Sequence, residues 1–309
     1  MNHQTILTVA LACAISINPA FGQNEEGLPF VGIDRNPVSA GMGFAGAASG
    51  TEPAYSSFRN SSVIPFSAER MSAGVSGQMW APDGVKSTNF NFGAAAKVGN
   101  RFGVSIGAAY QTGEEYSVMT DNGVSKGTFK PNEMIVNAGV GFLIMENLSA
   151  GANVRFASQK LSEDNSYSAI AADAFLTYRL EDLNITAGVS NIGSSVKSEA
   201  GDSFKLPSSA TIGADWKLAL SEAHGIRLSS DTDYFFSGNV TVAVGAEYSF
   251  KNMLFARAGY HFGTENAVLP SFATIGLGAK IFGISLDIAY LTACDILGNT
   301  LTFGLGYQF

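Results

Sequence analysis

The chain has 309 residues with 18 Lys and Arg against 26 Asp and Glu, a formal net charge of -8, and only 14% charged residues. Nucleic-acid binding needs a basic patch to neutralise phosphates; no Lys/Arg run occurs, so that class is excluded. Hydrophobic residues make up 46%, with 35 Gly, 22 Phe and 10 Tyr, and the length suits one large domain or two ordinary ones.

Residues 1–22, "MNHQTILTVALACAISINPAFG", read as a secretory signal peptide. The apolar run from Ile6 to Ile17 is too short to cross a bilayer as a helix. Ala20 and Gly22 place small residues before the expected cleavage between Gly22 and Gln23. The n-region departs from the usual pattern, with no Lys or Arg. Cys13 is a poor lipoprotein acceptor because the apolar run continues past it. Processing leaves Cys294 as the lone cysteine, so no internal disulfide is expected. No later apolar run approaches roughly 18 residues, which excludes a helical membrane protein and leaves a soluble exported domain or a membrane β-barrel.

Next comes "AGMGFAGAASG", where Gly41, Gly43 and Gly46 have the spacing of a dinucleotide-binding turn. That turn needs a buried strand before the glycines and a helix after them, with the pyrophosphate on the helix N-terminus. Asp34, Asn36 and Pro37 interrupt any preceding strand, and Pro53 falls where the helix would continue. Glu69 stands at a tolerable distance for the ribose acid but on no recognisable strand. The glycines instead suit a segment that packs its backbone closely against something else.

From Arg70 onward the pattern is period two. In "NTLTFGLGYQF", Leu301, Phe303, Leu305, Tyr307 and Phe309 share one face and Thr300, Thr302, Gly304, Gly306 and Gln308 the other. About fourteen such segments follow one another, near 70–80, 87–97, 101–113, 131–143, 147–159, 167–179 and 183–192, then 206–219, 224–236, 239–250, 253–263, 270–281, 283–292 and 299–309. Most have the length of a tilted membrane strand. Short turns alternate with longer loops at 114–130, 160–166, 193–205 and 264–269, as periplasmic turns and external loops do in outer-membrane barrels. The loop after Phe236 is the exception, short on the external side. Tyr110, Tyr178, Tyr234, Tyr248, Tyr260, Tyr290 and Tyr307 stand near strand ends as an interfacial girdle would. A large β-sandwich gives no reason for the alternating loop lengths. The expected fold is therefore an all-β transmembrane antiparallel barrel of about fourteen strands.

By alternation Arg155, Asp173, Asp215, Lys217, Arg227, Asp231, Asp233, Glu247, Arg257, Lys280 and Asp287 face the lumen, where they are expected to pair with one another and with the N-terminal segment. A lumen so charged favours docking of a partner over passage of apolar compounds. No catalytic or metal constellation stands out. His3 lies in the signal, His224 in a turn, and His261 faces the lumen alone without a nucleophile elbow near it. No enzyme activity, cofactor or metal is expected.

Ahead of such a barrel, "LPFVGIDRNPVSAGMGFAGAASGTEPAYSSFRNSSVIPF" resembles the N-terminal hatch of the PorV/PorQ family, within the wider class of FadL-like barrels. Ala40-Gly41-Met42-Gly43 and Ala45-Gly46 match, Tyr55 and Phe58 supply aromatics, and Asn60-Ser61-Ser62 replaces the family's Asn-Pro-Ala turn. "ISLDIAYL" before "LGNTLTFGLGYQF" is similar to its last hairpin, with Asp287, Tyr290 and Asn299-Thr300-Leu301 at matching places. Gly304, Tyr307 and the terminal Phe309 look like the signal read by the barrel-assembly machinery. The resemblance implies a hatch over 23–69, inside or at the periplasmic mouth of a barrel over 70–309, packed through Gly41, Gly43, Gly46 and Asn60. It also implies a place in the outer membrane of a Gram-negative bacterium, in contact with its lipid. The implied function is non-enzymatic, in type IX secretion, with a translocon barrel, cargo C-terminal domains and an attachment complex as partners. The alternative is a FadL-like channel for uptake of small hydrophobic compounds.

Overall fold

The computed structural model describes residues 26–80, 87–119, 125–162, 165–197, 203–264, 267, 269–292 and 299–309. The signal segment with its Gly22–Gln23 junction, His3, Cys13 and Cys294 all lie outside the described residues.

The strands follow in order as β1 (Met71–Trp80), β2 (Ser87–Val98), β3 (Phe102–Thr112), β4 (Tyr116–Met119), β5 (Ser125–Phe129) and β6 (Asn132–Met145). Next are β7 (Leu148–Lys160), β8 (Ser166–Leu180), β9 (Leu183–Gly193), β10 (Val196–Lys197), β11 (Ser203–Phe204) and β12 (Ser209–Ala219). The chain ends with β13 (His224–Phe235), β14 (Val240–Phe250), β15 (Leu254–Gly263), β16 (Phe272–Ile281), β17 (Ile284–Leu291) and β18 (Thr300–Gln308). Fourteen of them close into one antiparallel barrel, while β4–β5 and β10–β11 form separate two-stranded hairpins in the two longest loops. The barrel closes through β1 and β18, from Ser72 opposite Gln308 to Met79 opposite Leu301, so no wall strand is left with an unpaired edge.

Alternation builds the wall. In β17, Ser285, Asp287, Ala289 and Leu291 are buried inward and Ile284, Leu286, Ile288 and Tyr290 are exposed outward. A slip of one residue would turn the inward carboxylate to the outer surface, which pins the register. The seven girdle tyrosines are all exposed on the outer face. The wall strands match the expected segments within a few residues, with two differences of local origin. β12 begins at Ser209 rather than 206, because Pro207 has no N–H to give the ladder. In β9 the register shifts at Asn191, which has a positive φ of 56°, and Asp173 Oδ1 accepts its backbone N–H.

Residues 26–69 lie against the inner side of this wall. Their helical turns are short: Pro29–Gly32, Pro37–Ala40, Pro53–Phe58 and Ser61–Phe66. Proline starts the first three, where its missing N–H costs nothing. Asn36 and Asn60 cap the second and fourth by accepting from Val38 N at 3.0 Å and Ser62 N at 2.9 Å. The segment begins at the long-loop end, where Ser237 donates to Glu26, and reaches the short-turn end at Thr51, whose carbonyl accepts from Gln308. It rises to the middle of the lumen, where Tyr55 meets Gly74. It then descends to Ser67, whose carbonyl accepts from Lys97.

Candidate functional site

The lumen is where chain and wall meet, and backbone proximity dictates which residues stand there. Met42 presses its own backbone onto Gly259, and a Cβ at that glycine would stand 2.1 Å from the Met42 carbonyl carbon and 2.2 Å from the Gly43 nitrogen. Gly43 has φ +70, and a Cβ on it would stand 2.7–2.8 Å from the Tyr260 backbone; only glycine satisfies both demands. Gly43 N donates to Thr274 Oγ1 at 2.8 Å, fixing the segment to β16. Gly41 lies against Gly276 and the stem of Arg257. Gly41 also ends the turn Pro37–Ala40, with no strand before it, so the nucleotide-turn geometry is absent around these glycines.

Asp231 is the hub of the charged layer. Its Oδ2 accepts from Gly46 N at 2.7 Å, Ala47 N at 2.8 Å and Arg59 Nη2 at 3.1 Å. Arg59 also stands 3.6 Å from Asp233 and 3.5 Å from Asp34. Burial opposes its charge, but Asp231, Asp233 and Asp34 outweigh that and hold the Arg59 guanidinium above its ordinary value. Asn60 donates to the Ala47 carbonyl at 2.8 Å and to Thr186 at 3.0 Å, joining the two arms of the segment to β9.

Most of the other lumen charges are paired, Asp215, Arg227, Glu247, Arg257 and Asp287 in one continuous chain. Arg155 reaches Asp173 at 3.3 Å and also donates to Asn137, Asn191 and the Phe58 carbonyl. Arg227 lies 3.6 Å from Asp215, and Ser229 donates to that carboxylate. Arg257 contacts both Glu247 and Asp287 at 2.6 Å, and Lys280 lies 3.5 Å from Glu69. His261 stacks on Phe272 at 4.9 Å with Nδ1 3.3 Å from the Gly43 carbonyl, and His224 pairs with the Tyr248 hydroxyl at 2.6 Å. Among the described residues no His, Cys, Asp or Glu group has metal-binding geometry. Gly304 faces Pro37, so the segment itself requires a small residue there, while Tyr307 and Phe309 lie outward with rings 5.2 Å apart.

Glu52 supplies a pH-dependent contact. It accepts from Gln308 at 2.9 Å; burial and the neighbouring Asp287 push its carboxyl up to about 7, against the pull of Arg257 and Lys280. The folded state then holds its proton more tightly than the free chain does. The docked arrangement is therefore strongest below the ordinary carboxylate value and weakens as pH rises to about 7. Protease protection of residues 26–69 is expected to fall between pH 5 and 8 in the wild type. In Glu52→Gln the fall is expected to be shallower, and an unchanged slope there would refute this assignment.

Sequence reasoning did not find Arg35, which is wholly buried and donates to the Phe30 carbonyl at 2.8 Å. Burial draws its guanidinium down to about 10. It also did not find a row of inward polar side chains at the long-loop end: Gln78, Asn89, Gln111, Glu133 and Gln159 are successive cross-strand partners. Five consecutive polar residues at inward parity were the available signal.

The expectation of a lumen charged rather than apolar needs correction. Toward the long-loop end the inner wall turns apolar. Ala109, Ile135, Ala157, Ala169 and Ala171 form a patch that Leu28, Phe30 and Val31 fill, with Val196 and Leu206 of the β9–β12 loop beside them. A second patch joins Phe44, Leu269, Phe272 and Leu291. The lumen thus has an apolar slot above a charged layer.

These features define a fourteen-stranded antiparallel barrel with part of its own chain on the inner side of the wall. No protein-family model and no curated protein matches the chain. Its fold is that of the Ralstonia pickettii toluene transporter TbuX, with a TM-score of 0.63 at 14% identity over 88% of this chain and 97% of that one. The monoaromatic hydrocarbon channel CymD gives 0.62 at 15% identity, covering 94% and 98%. A Pseudomonas aeruginosa FadL homologue gives 0.54 at 12% identity, covering 89% and 98%. The architecture is FadL-like, and these structures lend no separate support to the PorV/PorQ resemblance.

Proposed function

We propose that the chain is an outer-membrane channel for small hydrophobic compounds, with residues 26–69 serving as its plug. One observation carries this reading: the plug's own Leu28, Phe30 and Val31 sit in an apolar slot of the lumen. A small apolar molecule displacing them recovers about 25 cal/mol for each Å² it removes from water. The likeness of fold to toluene transporters and to a FadL homologue supports the same choice. So does the pairing of most lumen charges with one another. On this reading the chain is no enzyme. Its signal is cleaved after Gly22, its outer face meets lipid, and Gly304, Tyr307 and Phe309 form its assembly signal.

The test is uptake of labelled toluene into proteoliposomes. Wild-type protein is expected to give saturable uptake, and Ala157→Phe, which fills the slot from the wall, to lower it about tenfold. Uptake equal to protein-free vesicles would sink the channel reading. The PorV/PorQ role makes a separate prediction. A pull-down from gently solubilised outer membranes would then recover a translocon barrel, attachment proteins or cargo sharing a C-terminal domain.

A further inference from the structure

The short-turn end of the lumen opens into a cavity of about 590 Å³ whose lining includes the cations Arg179, Lys217, Arg227, Arg257 and Lys280. Three of these have carboxylate partners, through Asp215 and Glu247, through Glu247 and Asp287, and through Glu69 respectively. Arg179 makes no ion pair among the described residues; it donates to Asn184 Oδ1 at 3.1 Å and the Phe66 carbonyl at 2.8 Å, and covers the Phe66 ring at 4.4 Å. Lys217 has no carboxylate within ion-pair distance among the described residues, and it is exposed to the cavity.

The wall brings these cations together. Lys217 and Arg227 are direct cross-strand partners on β12 and β13, an arrangement in which like charges repel. Arg179 on β8 is reached from them across Asn184 of β9, which pairs with Arg179 on one side and Asp215 on the other. Of the other carboxylates that line the cavity, Glu181, Asp182 and Glu222 are exposed on the turns, and Glu52 accepts from Gln308. A concave wall with two cations that lack a carboxylate at ion-pair distance, beside a third, gains from an anion that accepts from all of them.

We propose that Arg179, Lys217 and Arg227 form an anion site for a phosphate or carboxylate group entering from the short-turn side of the barrel. Such a group bridges the fork of Arg179 and the ammonium of Lys217 and relieves the Lys217–Arg227 repulsion. The proposal stands apart from the identity of any compound carried through the lumen.

The test uses full-length protein in neutral detergent with its lysines reductively ¹³C-methylated, the Lys217 signal being assigned through Lys217→Arg. Inorganic phosphate, a soluble short-chain phosphatidic acid and chloride at equal ionic strength are titrated in parallel. A saturable shift of the Lys217 signal with phosphate, absent with chloride and weakened at least tenfold in Arg179→Gln, is the expected result. A response to both phosphate and the lipid assigns a free oxyanion site, and a response to the lipid alone assigns a headgroup site. Heat-modified gel mobility confirms that the variant is folded. A signal that moves with neither ligand, moves equally with chloride, or responds unchanged in folded Arg179→Gln overturns the proposal.

Discussion

Asp231→Ala is expected to free residues 26–69 from the wall while the barrel remains closed. The carboxylate it removes accepts from two backbone N–H groups and from Arg59 Nη2, and its side chain is fully shielded from solvent. The loss leaves Arg59 with only Asp233 and Asp34, at 3.6 and 3.5 Å, and leaves Gly46 N and Ala47 N without an acceptor. Breaking one side of a buried pair costs about 3–5 kcal/mol, which raises the undocked population roughly a hundred- to several-thousandfold. The wall is spared because its ladder hydrogen bonds do not involve this side chain. Planar-bilayer recordings should show ion conductance in the variant that the wild type lacks. Matching current traces would mean that Asp231 does not anchor the segment.

Gly259→Ala acts on the same docking through shape alone. The added methyl would stand 2.1–2.2 Å from the Met42 carbonyl carbon and the Gly43 nitrogen, which are both backbone atoms. Neither side chain can rotate to relieve the clash. Gly43 cannot yield either, since its φ of +70 already brings it against the Tyr260 backbone. Overpacking of this kind costs about 1–3 kcal/mol where side chains can adjust, so the upper end applies here. The control is Gly99→Ala, at φ +63 in an open turn with nothing within 4 Å of the new methyl. It carries only the modest backbone penalty, about 1 kcal/mol. A cysteine placed at the buried Ser39 reports the difference: its labelling rate should rise at least tenfold in Gly259→Ala and stay unchanged in Gly99→Ala. Equal rates in the two would show that the close approach is not needed for docking.

The wall was legible because its rule is local. Apolar residues at one parity and small or polar ones at the other recur from Met71 to Gln308, and each strand carries that pattern on its own. The lumen charges were legible for the same reason, since Asp287 or Glu247 needs only its neighbours to be placed inward. Their partners were not, because parity gives a face and not a height along the axis. Arg59 had no parity at all, so its meeting with Asp231 across 172 residues left no trace in the pattern. The apolar slot was legible in principle: Ile135 stands at the parity of Glu133 and Asn137, and an isoleucine there breaks the polar inward sequence. The rest of the slot gives no such break, because alanines at inward positions occur along the whole wall and carry no mark of height. The hairpins β4–β5 and β10–β11 escaped because their strands are too short to show a period.

The segment on the inner side of the wall is translated before every strand that holds it. Gly43 N donates to Thr274 across 231 positions, and Gln308 donates to the Thr51 carbonyl across 257. Such distant pairings form late, since the entropy of closing the intervening loop is lost before the contact is gained. The same segment also meets the first strands across only 30 to 44 positions, through Lys97, Ser76 and Ser105, so its seat is begun early and completed only when the last strands arrive. The pairing of β18 with β1 is thus both the closing of the wall and the step that brings Gln308 to the Thr51 carbonyl.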